Sequence, residues 1–303
     1  MPWQYKIVVA VGVVFVLFVI LYVPFKIYTT RLVAAPPGAA PIRLSGAKET
    51  SASILDPSLA ADAAGTVWMA YTSIEPSQSA RGETLMHVKL ATSQGSTCDN
   101  WSPAQGGFQA KPDDLMAPDG QSVLRTGVWR IETPALVHDP DDIVHAWKLY
   151  AYKYFWAKDQ PSTLQVAQHY GVITYKYAQD PAGPWSTEQW LFSPAADYPP
   201  PPYQQMILLH LNDLDPSLKD VVAYTRPSAL YKDGALIMTL SAFTGGTTPD
   251  RIIMVVSRDH GQSWRYVGTV LRTSDLQALG AYTKLSGATL MEAGGKVYLA
   301  SVL

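Results

Sequence analysis

The chain has 303 residues, of which 16% are charged and 11% are aromatic, and its formal net charge is -2. This length accommodates one large all-β domain or two average ones, and the charge excludes the basic surface that is typical of nucleic-acid binding. Cys98 is the single cysteine, so an intramolecular disulfide and an all-cysteine metal site are excluded. The 6 histidines show no metal-ligand spacing, and no Gly-rich phosphate loop is present, so we expect neither a metal nor a cofactor.

The N-terminal part of the chain contains a long apolar segment. Residues 7–25 carry no charge and consist mostly of Val, Ile, Leu and Phe, and Lys6 and Lys26 bracket them. A helix of this length, at about 1.5 Å rise per residue, spans roughly the hydrocarbon core of a bilayer. The sequence therefore predicts a short tail at 1–6, a retained transmembrane signal anchor at 7–25 and a linker at 26–49 with a Pro- and Ala-rich spacer.

From residue 50 onwards the sequence repeats one pattern four times. An apolar strand that starts with a small or Pro-containing cluster is followed by a polar turn and a second apolar strand. In three of the repeats an outer hairpin follows and ends in Trp; these residues are Trp101, Trp185 and Trp264. The order of inner hairpin, outer hairpin and Trp predicts the blades of a β-propeller over residues 50–303. A β-sandwich is the competing interpretation, but it does not explain this recurring order.

The fourth repeat ends at Leu303 within its second strand. An incomplete ring of blades would leave strand edges exposed. We therefore expect the missing blades to come from a longer natural chain or from another subunit.

The third outer hairpin contains Ser257, Asp259, Gly261 and Trp264 within eight positions. An Asp in a tight turn accepts bonds from nearby backbone N–H groups, a Gly supplies an unusual φ, and the Trp returns to the core. This pattern resembles the Asp box of sialidase-type β-propellers. The resemblance implies that Asp259 has a structural role in the turn.

The first blade begins with Asp56-Pro57-Ser58-Leu59, and residues 178–186 form a Pro- and Gly-containing blade turn. Both motifs resemble those of the five-bladed propeller glycosidases of the arabinanase and β-xylosidase family. Over residues 50–303 this resemblance implies an all-β propeller with five blades, six being possible, and a carbohydrate substrate or glycan ligand. It also implies metal-independent hydrolysis of a glycosidic bond with Asp56 as the catalytic base.

Such a mechanism requires a second carboxyl group that is kept protonated as the acid. Glu132 is the candidate, because Glu132-Thr133-Pro134 is similar to the Glu-Cys-Pro motif of invertase-type propellers. The chain departs from the arabinanase pattern at two blade starts. Arg226 stands near the position of the family's third-blade Asp, and Ser286-Gly287 stands where a later Glu is expected.

Residues 128–136 resemble the Arg-Ile-Pro motif of sialidases, with two residues inserted before the Pro. That resemblance implies substrate binding by Arg130, Arg226 and Tyr282. Two simpler interpretations stay open: Asp56 caps a turn, and Arg130 and Glu132 form an ion pair.

The leading prediction is a membrane-anchored glycoside hydrolase with its propeller in the periplasm or outside the cell. The alternatives are a non-catalytic propeller that binds glycan or protein, and a sialidase-like exo-glycosidase.

Overall fold

The computed structural model describes residues 43–44, 53–76, 84–93, 98, 100–157, 170–279 and 284–302. In this part of the chain the structure is nearly all-β, and no helix is both long and apolar enough to cross a membrane. The predicted anchor at 7–25 lies outside the described residues.

The described residues form 17 strands, with three 3-10 helices at Gln204–Met206, Leu211–Asp213 and Pro216–Leu218 and one α-helix, α1, at Thr273–Leu279. The strands are β1 (Arg43–Leu44), β2 (Ser53–Ala61), β3 (Val67–Pro76), β4 (Thr84–Ser93), β5 (Asn100–Phe108), β6 (Lys111–Met116), β7 (Val123–His138), β8 (Trp147–Trp156), β9 (Val172–Ala178), β10 (Gln189–Ser193), β11 (Ile207–His210), β12 (Ala223–Lys232), β13 (Ala235–Phe243), β14 (Arg251–Ser257), β15 (Arg265–Arg272), β16 (Gly287–Ala293) and β17 (Lys296–Val302).

The strands form four sheets, which we call blades 1 to 4 in chain order. Three of them contain an antiparallel four-stranded meander, in the order β2-β3-β4-β5, β7-β8-β9-β10 and β12-β13-β14-β15. Blade 4 is the hairpin β16-β17. Strands that follow one another along the chain pair antiparallel in each meander, an arrangement that needs only a turn or loop between them, whereas parallel strands need a crossover.

The first strands of consecutive blades lie side by side. Strand β2 contacts β7, β7 contacts β12, and β12 contacts β16. Apolar side chains fill the space between neighbouring blades, with Leu90 and Leu149 between blades 1 and 2, and Tyr150 and Met238 between blades 2 and 3. Meanders that pack face to face through their first strands are the blades of a β-propeller. The predicted all-β class and the repeated unit therefore agree with the structure.

The Trp at the end of each outer hairpin makes the same bond in all three blades. The indole N–H of Trp101 donates to the carbonyl of Cys98 at 2.8 Å, that of Trp185 to Pro181 at 3.2 Å and that of Trp264 to Gly261 at 3.1 Å. Each bond joins the indole to a carbonyl three or four residues earlier in the chain. The repeat seen in the sequence is thus a repeat of turn geometry as well as of strands.

Two blades carry strands beyond the meander. Blade 2 is widened by β6, which pairs antiparallel with the first half of β7, and by β11, which pairs in parallel with β10. Blade 1 gains β1, which pairs in parallel with β5 and comes from the segment predicted to be a linker. Through its pairing with β6, β7 is a strand of 16 residues that begins well before the predicted blade start.

Candidate functional site

A β-bulge interrupts the first strand of blades 1, 2 and 3 at the same place. The register shifts between Leu55 and Ser58, between Glu132 and Ala135, and between Thr225 and Ser228. In each bulge a residue with positive φ precedes a proline: Asp56 at 51°, Thr133 at 51° and Arg226 at 50°. Because a left-handed conformation costs an L-residue about 1–2 kcal/mol, three such bulges mark positions where the backbone re-aims a side chain.

The bulges are tied to the neighbouring blade by side-chain hydroxyl groups. Ser58 Oγ accepts a bond from the backbone N–H of Leu136 at 2.9 Å, and Thr72 Oγ1 accepts one from that of Thr133 at 3.0 Å. The seam between blades 3 and 4 has a matching bond, from Leu290 N–H to Ser228 Oγ at 2.9 Å. The predicted blade starts are therefore brought together by specific contacts.

Glu132 directly precedes the bulge of blade 2 and is half-buried. Burial raises the pKa of its carboxyl, and the nearby charge of Asp56 raises it further. The charges of Arg226 and Arg130 and a bond from the Tyr154 hydroxyl, 3.4 Å from Oε2, act in the opposite direction without cancelling the rise. The surroundings of Glu132 thus favour the protonated form.

Asp56 has an exposed side chain, yet desolvation by the surrounding protein raises the pKa of its carboxyl, and the charge of Arg226 opposes that rise. The charges of Asp56 and Arg226 both act on Glu132. The structure therefore brings these three predicted site residues together at the strand starts of blades 1, 2 and 3. Their roles stay predictions.

Arg130 is buried, with 9% of its surface exposed. Its Nε donates to the carbonyl of Thr84 at 3.0 Å, and its guanidinium lies 4.0 Å from the ring centre of Trp156. These partners hold Arg130 between blades 1 and 2, and it forms no ion pair with Glu132 within 4.0 Å. The ion pair that we considered is therefore absent, although the charge of Arg130 still acts on Glu132.

Arg226 is exposed, and its Nη1 donates to Ser286 Oγ at the beginning of blade 4. Gly287 lies beside it, and a Cβ at that position would come within 2.9 Å of the Arg226 Cδ. The start of blade 4 thus binds the arginine side chain through Ser286 and leaves room for it at Gly287. Tyr282, the third predicted substrate-binding residue, lies outside the described residues.

Sequence reasoning missed the aromatic side of the site. Tyr154 and Trp156 on β8 contact Glu132 and Arg130, since β8 pairs with β7 so that Tyr154 lies opposite Arg130 and Tyr152 opposite Glu132. The alternation of aromatic residues along β8 was the available signal, because alternate residues of a strand share one face.

A second polar cluster joins the β7–β8 turn of blade 2 to the β14–β15 turn of blade 3. Asp139, Asp142 and His260 place possible ligand atoms within 4.8 Å of one another. Lys148 lies among them, its Nζ 2.9 Å from Asp139 Oδ2 and from Asp142 Oδ2. The ammonium group supplies a positive charge to both carboxylates.

No protein-family model matches the chain, and no curated protein sequence matches it either. Its structure is similar to the xylan β-1,4-xylosidase of Bacillus halodurans C-125, with 18% identity and a TM-score of 0.43 over 84% of this chain and 38% of that one. It is also similar to an α-L-arabinanase of Penicillium chrysogenum, with 12% identity and a TM-score of 0.46 over 82% and 57%. For the NanB sialidase of Streptococcus pneumoniae the identity is 10% and the TM-score 0.47 over 84% and 51%.

All three similar proteins are glycosidases, and this chain spans less than two thirds of the length of each. The similarity between this chain and these proteins is a similarity of fold.

Proposed function

We propose that this chain is a glycoside hydrolase that uses Asp56 as base and Glu132 as acid. One observation carries the proposal: the charge of Asp56 in blade 1 acts on Glu132 in blade 2, and of the two carboxyl groups, both with a raised pKa, Asp56 is exposed and Glu132 is half-buried. Two carboxyl groups whose surroundings differ in this way are suited to opposite proton-transfer roles.

In the proposed reaction the carboxylate of Asp56 removes a proton from a water molecule that attacks the anomeric carbon. Glu132 donates its proton to the oxygen of the leaving group as the glycosidic C–O bond breaks. Arg226 is the proposed substrate contact because it is exposed beside both carboxyl groups. Arg130, which was predicted to bind substrate, is proposed to hold the strand start through its bond to Thr84 and its stacking on Trp156.

A screen of the purified protein against aryl glycosides of arabinose, xylose, fructose, galactose, glucuronic acid and sialic acid tests the proposal. Asp56→Asn is expected to lower kcat about 10²–10⁴-fold, the usual contribution of a general base. Asp233→Asn is the matched control, because Asp233 also has a positive φ, 49°, in an exposed turn. Absence of hydrolysis in the whole screen, or full activity of Asp56→Asn, would contradict the assignment.

Glu132→Gln tests the acid separately. A poor leaving group needs protonation, so alkyl glycosides are expected to lose about 10²–10⁴-fold in kcat, whereas 2,4-dinitrophenyl glycosides, which leave without a proton, lose little. Glu292→Gln, a change at an exposed residue of blade 4, is the control. An equal loss for both kinds of leaving group would show that Glu132 is not the acid.

A second candidate function is a non-catalytic propeller that binds a glycan or a protein. It is favoured by the bulge residues of blades 2 and 3, which are Thr133 and Arg226 where blade 1 has Asp56. Binding of a glycan without hydrolysis in the same screen would support this function.

We also propose that residues 7–25 anchor the protein in a membrane and that the blades lie in the periplasm or outside the cell. The uncharged apolar sequence of this segment supports the proposal. Alkaline carbonate extraction of membranes and protease protection of spheroplasts test it. Release of the full-length protein by carbonate would contradict the anchor.

A further inference from the structure

We propose that Met86 of blade 1 is a positioning residue that acts on Glu132 through the hydroxyl group of Tyr154. While Glu132 is protonated, the Tyr154 hydroxyl donates to the Met86 sulfur, and when Glu132 is ionised it donates to the carboxylate instead. The proposal deepens the proposed function and rests on it, because it concerns the acid of the same carboxyl pair.

The Tyr154 hydroxyl lies between two acceptors that come from different blades. Its oxygen is 3.5 Å from Met86 Sδ, on β4 of blade 1, and 3.4 Å from Glu132 Oε2, on β7 of blade 2. A tyrosine hydroxyl has one proton to donate, and a thioether sulfur is a weak acceptor without a proton of its own. The two bonds therefore compete for the same proton.

Strand β4 is held beside the acid on both sides of Met86. Two residues before it, the carbonyl of Thr84 accepts a bond from Arg130 Nε at 3.0 Å. Two residues after it, Val88 is fully buried in the apolar core between blades 1 and 2. Because alternate residues of a strand share one face, Met86 lies on the face of β4 that packs against blade 2. The contact between Met86 and Tyr154 is therefore part of the packing between these two blades.

The protonation state of Glu132 decides which acceptor receives the tyrosine proton. An ionised carboxylate is a much stronger acceptor than a thioether, so the hydroxyl then donates to Glu132. A protonated Glu132 has its own O–H, for which the tyrosine oxygen is an acceptor, and the tyrosine proton then goes to Met86. Arg130 also bonds the Tyr154 hydroxyl, but a guanidinium has donors only and cannot take this proton. Met86 thus stabilises the protonated acid selectively.

In the proposed reaction Tyr154 changes its partner but keeps its proton. Burial raises the pKa of the Tyr154 hydroxyl, so it stays protonated throughout. Before the transfer its O–H is bonded to Met86. As Glu132 gives its proton to the oxygen of the leaving group, the O–H of Tyr154 rotates towards the carboxylate that forms.

Titration of Glu132 tests the proposal without requiring hydrolysis. The NMR chemical shift of the side-chain carboxyl carbon is followed in protein labelled at glutamate, and the signal of Glu132 is assigned by its loss in Glu132→Gln. Met86→Leu removes the sulfur acceptor, so the pKa of Glu132 is expected to fall by about 0.4–1 unit, the size of one neutral hydrogen bond. Met86→Gln supplies an amide oxygen as acceptor and is expected to restore the pKa. Met254→Leu, the same change at a half-buried methionine of blade 3, is the matched control.

Tyr154→Phe separates this role from an effect of packing. Without the hydroxyl nothing links the sulfur to the acid, so Met86→Leu in this background is expected to leave the pKa of Glu132 unchanged. Other charged or titratable groups act on Glu132 and stay in place in these variants, namely Asp56, Arg130, Arg226 and Tyr152. A fall of equal size with and without the Tyr154 hydroxyl would overturn the proposal, as would an unchanged pKa in Met86→Leu.

The failures of this proposal and of the proposed hydrolase are distinguishable. The expected fall in pKa without hydrolysis of any glycoside supports the role of Met86 and contradicts the enzyme. Hydrolysis by a protein in which Met86→Leu leaves the pKa of Glu132 unchanged overturns the role of Met86 while the hydrolase stands. If both proposals hold, the alkaline limb of kcat/KM moves to lower pH in Met86→Leu by the same amount as the pKa.

Discussion

The two carboxyl groups of the proposed site differ in what surrounds them. Glu132 is half-buried and contacts the Tyr154 hydroxyl, whereas Asp56 is exposed next to the charge of Arg226. Both pKa values are raised by desolvation, and that of Glu132 is raised further by Asp56. Of the two groups, Glu132 is therefore expected to keep its proton to the higher pH.

This difference predicts the pH dependence of hydrolysis. Activity falls at low pH as the base is protonated and at high pH as the acid loses its proton. The apparent pKa values of both limbs of the pH profile are therefore expected to lie above the ordinary pKa values of Asp and Glu. Tyr154→Phe removes a bond that lowers the pKa of Glu132, so the alkaline limb of kcat/KM is expected to move to higher pH while the acid limb changes little.

Tyr175→Phe is the control for Tyr154→Phe, since the Tyr175 hydroxyl bonds Gln189 in the same blade and Glu132 is not among its partners. A pH profile of Tyr154→Phe that coincides with that of the unchanged protein would show that Glu132 does not set the alkaline limb.

At the scale of elements, the seams between blades depend on hydroxyl groups placed just after the bulges. Ser58→Ala removes the acceptor for the buried N–H of Leu136. A buried donor without a partner costs about 1–3 kcal/mol, so we expect the free energy of unfolding to fall by that amount in urea titrations. Ser274→Ala, at an exposed position of α1, is expected to change it by less than about 0.5 kcal/mol. Equal stabilities of the two variants would show that the seam bond contributes nothing.

The turn before Trp264 was predictable because the bonds of its Ser257 and Asp259 side chains are local. Ser257 Oγ accepts the N–H of Gly261 at 2.7 Å and donates to Asp259 Oδ1 at 2.7 Å, and Ser263 N–H donates to Asp259 at 2.9 Å. Gly261 has a φ of 93°, as its place in the turn required. These contacts join residues within eight positions, so the spacing of residue types in the sequence specifies them.

The surroundings of Glu132 were not predictable in the same way. Tyr154 meets Glu132 because β7 pairs with β8 through a register interrupted by a bulge, and Arg226 reaches the site from a different blade. The hydrogen bond between Arg226 and Ser286 joins residues 60 positions apart. Charged residues at blade starts were a usable signal for the site, but which of them meet depends on strand register and blade packing, which a single sequence does not encode locally.

At the scale of the whole molecule, blades 2 and 3 are joined by a buried ionic cluster as well as by their apolar core. Asp139 is fully buried and receives bonds from Lys148 at 2.9 Å and from His260 of blade 3 at 3.1 Å. Tyr231 of blade 3 bonds Asp141 of the same turn of blade 2. Lys148 is itself buried and also contacts Asp142, so a single ammonium group balances two carboxylates.

Removal of the Lys148 ammonium group is expected to destabilise the contact between blades 2 and 3 strongly. Lys148→Met leaves Asp139 buried without its ammonium partner, a change that typically costs about 3–5 kcal/mol. Lys232→Met, which breaks a more exposed pair with Glu292, is expected to cost much less. Urea unfolding at neutral pH measures both.

Lys148→Met also tests how the charge of Lys148 contributes to the free energy of unfolding as the pH changes. Burial raises the pKa of Asp142, but the bonds from Lys148 and His145 lower it on balance, so its stabilising effect is present above the pKa of the unfolded chain and is lost as the pH falls through the lower folded value. In Lys148→Met burial acts on Asp142 without that compensation, so the carboxyl group of Asp142 takes up a proton at higher pH. The stability difference between the unchanged protein and Lys148→Met is therefore expected to be largest at neutral pH and to shrink as the solution is acidified. A difference that stays constant with pH would mean that Lys148 stabilises the two blades through the packing of its methylene groups rather than through its charge.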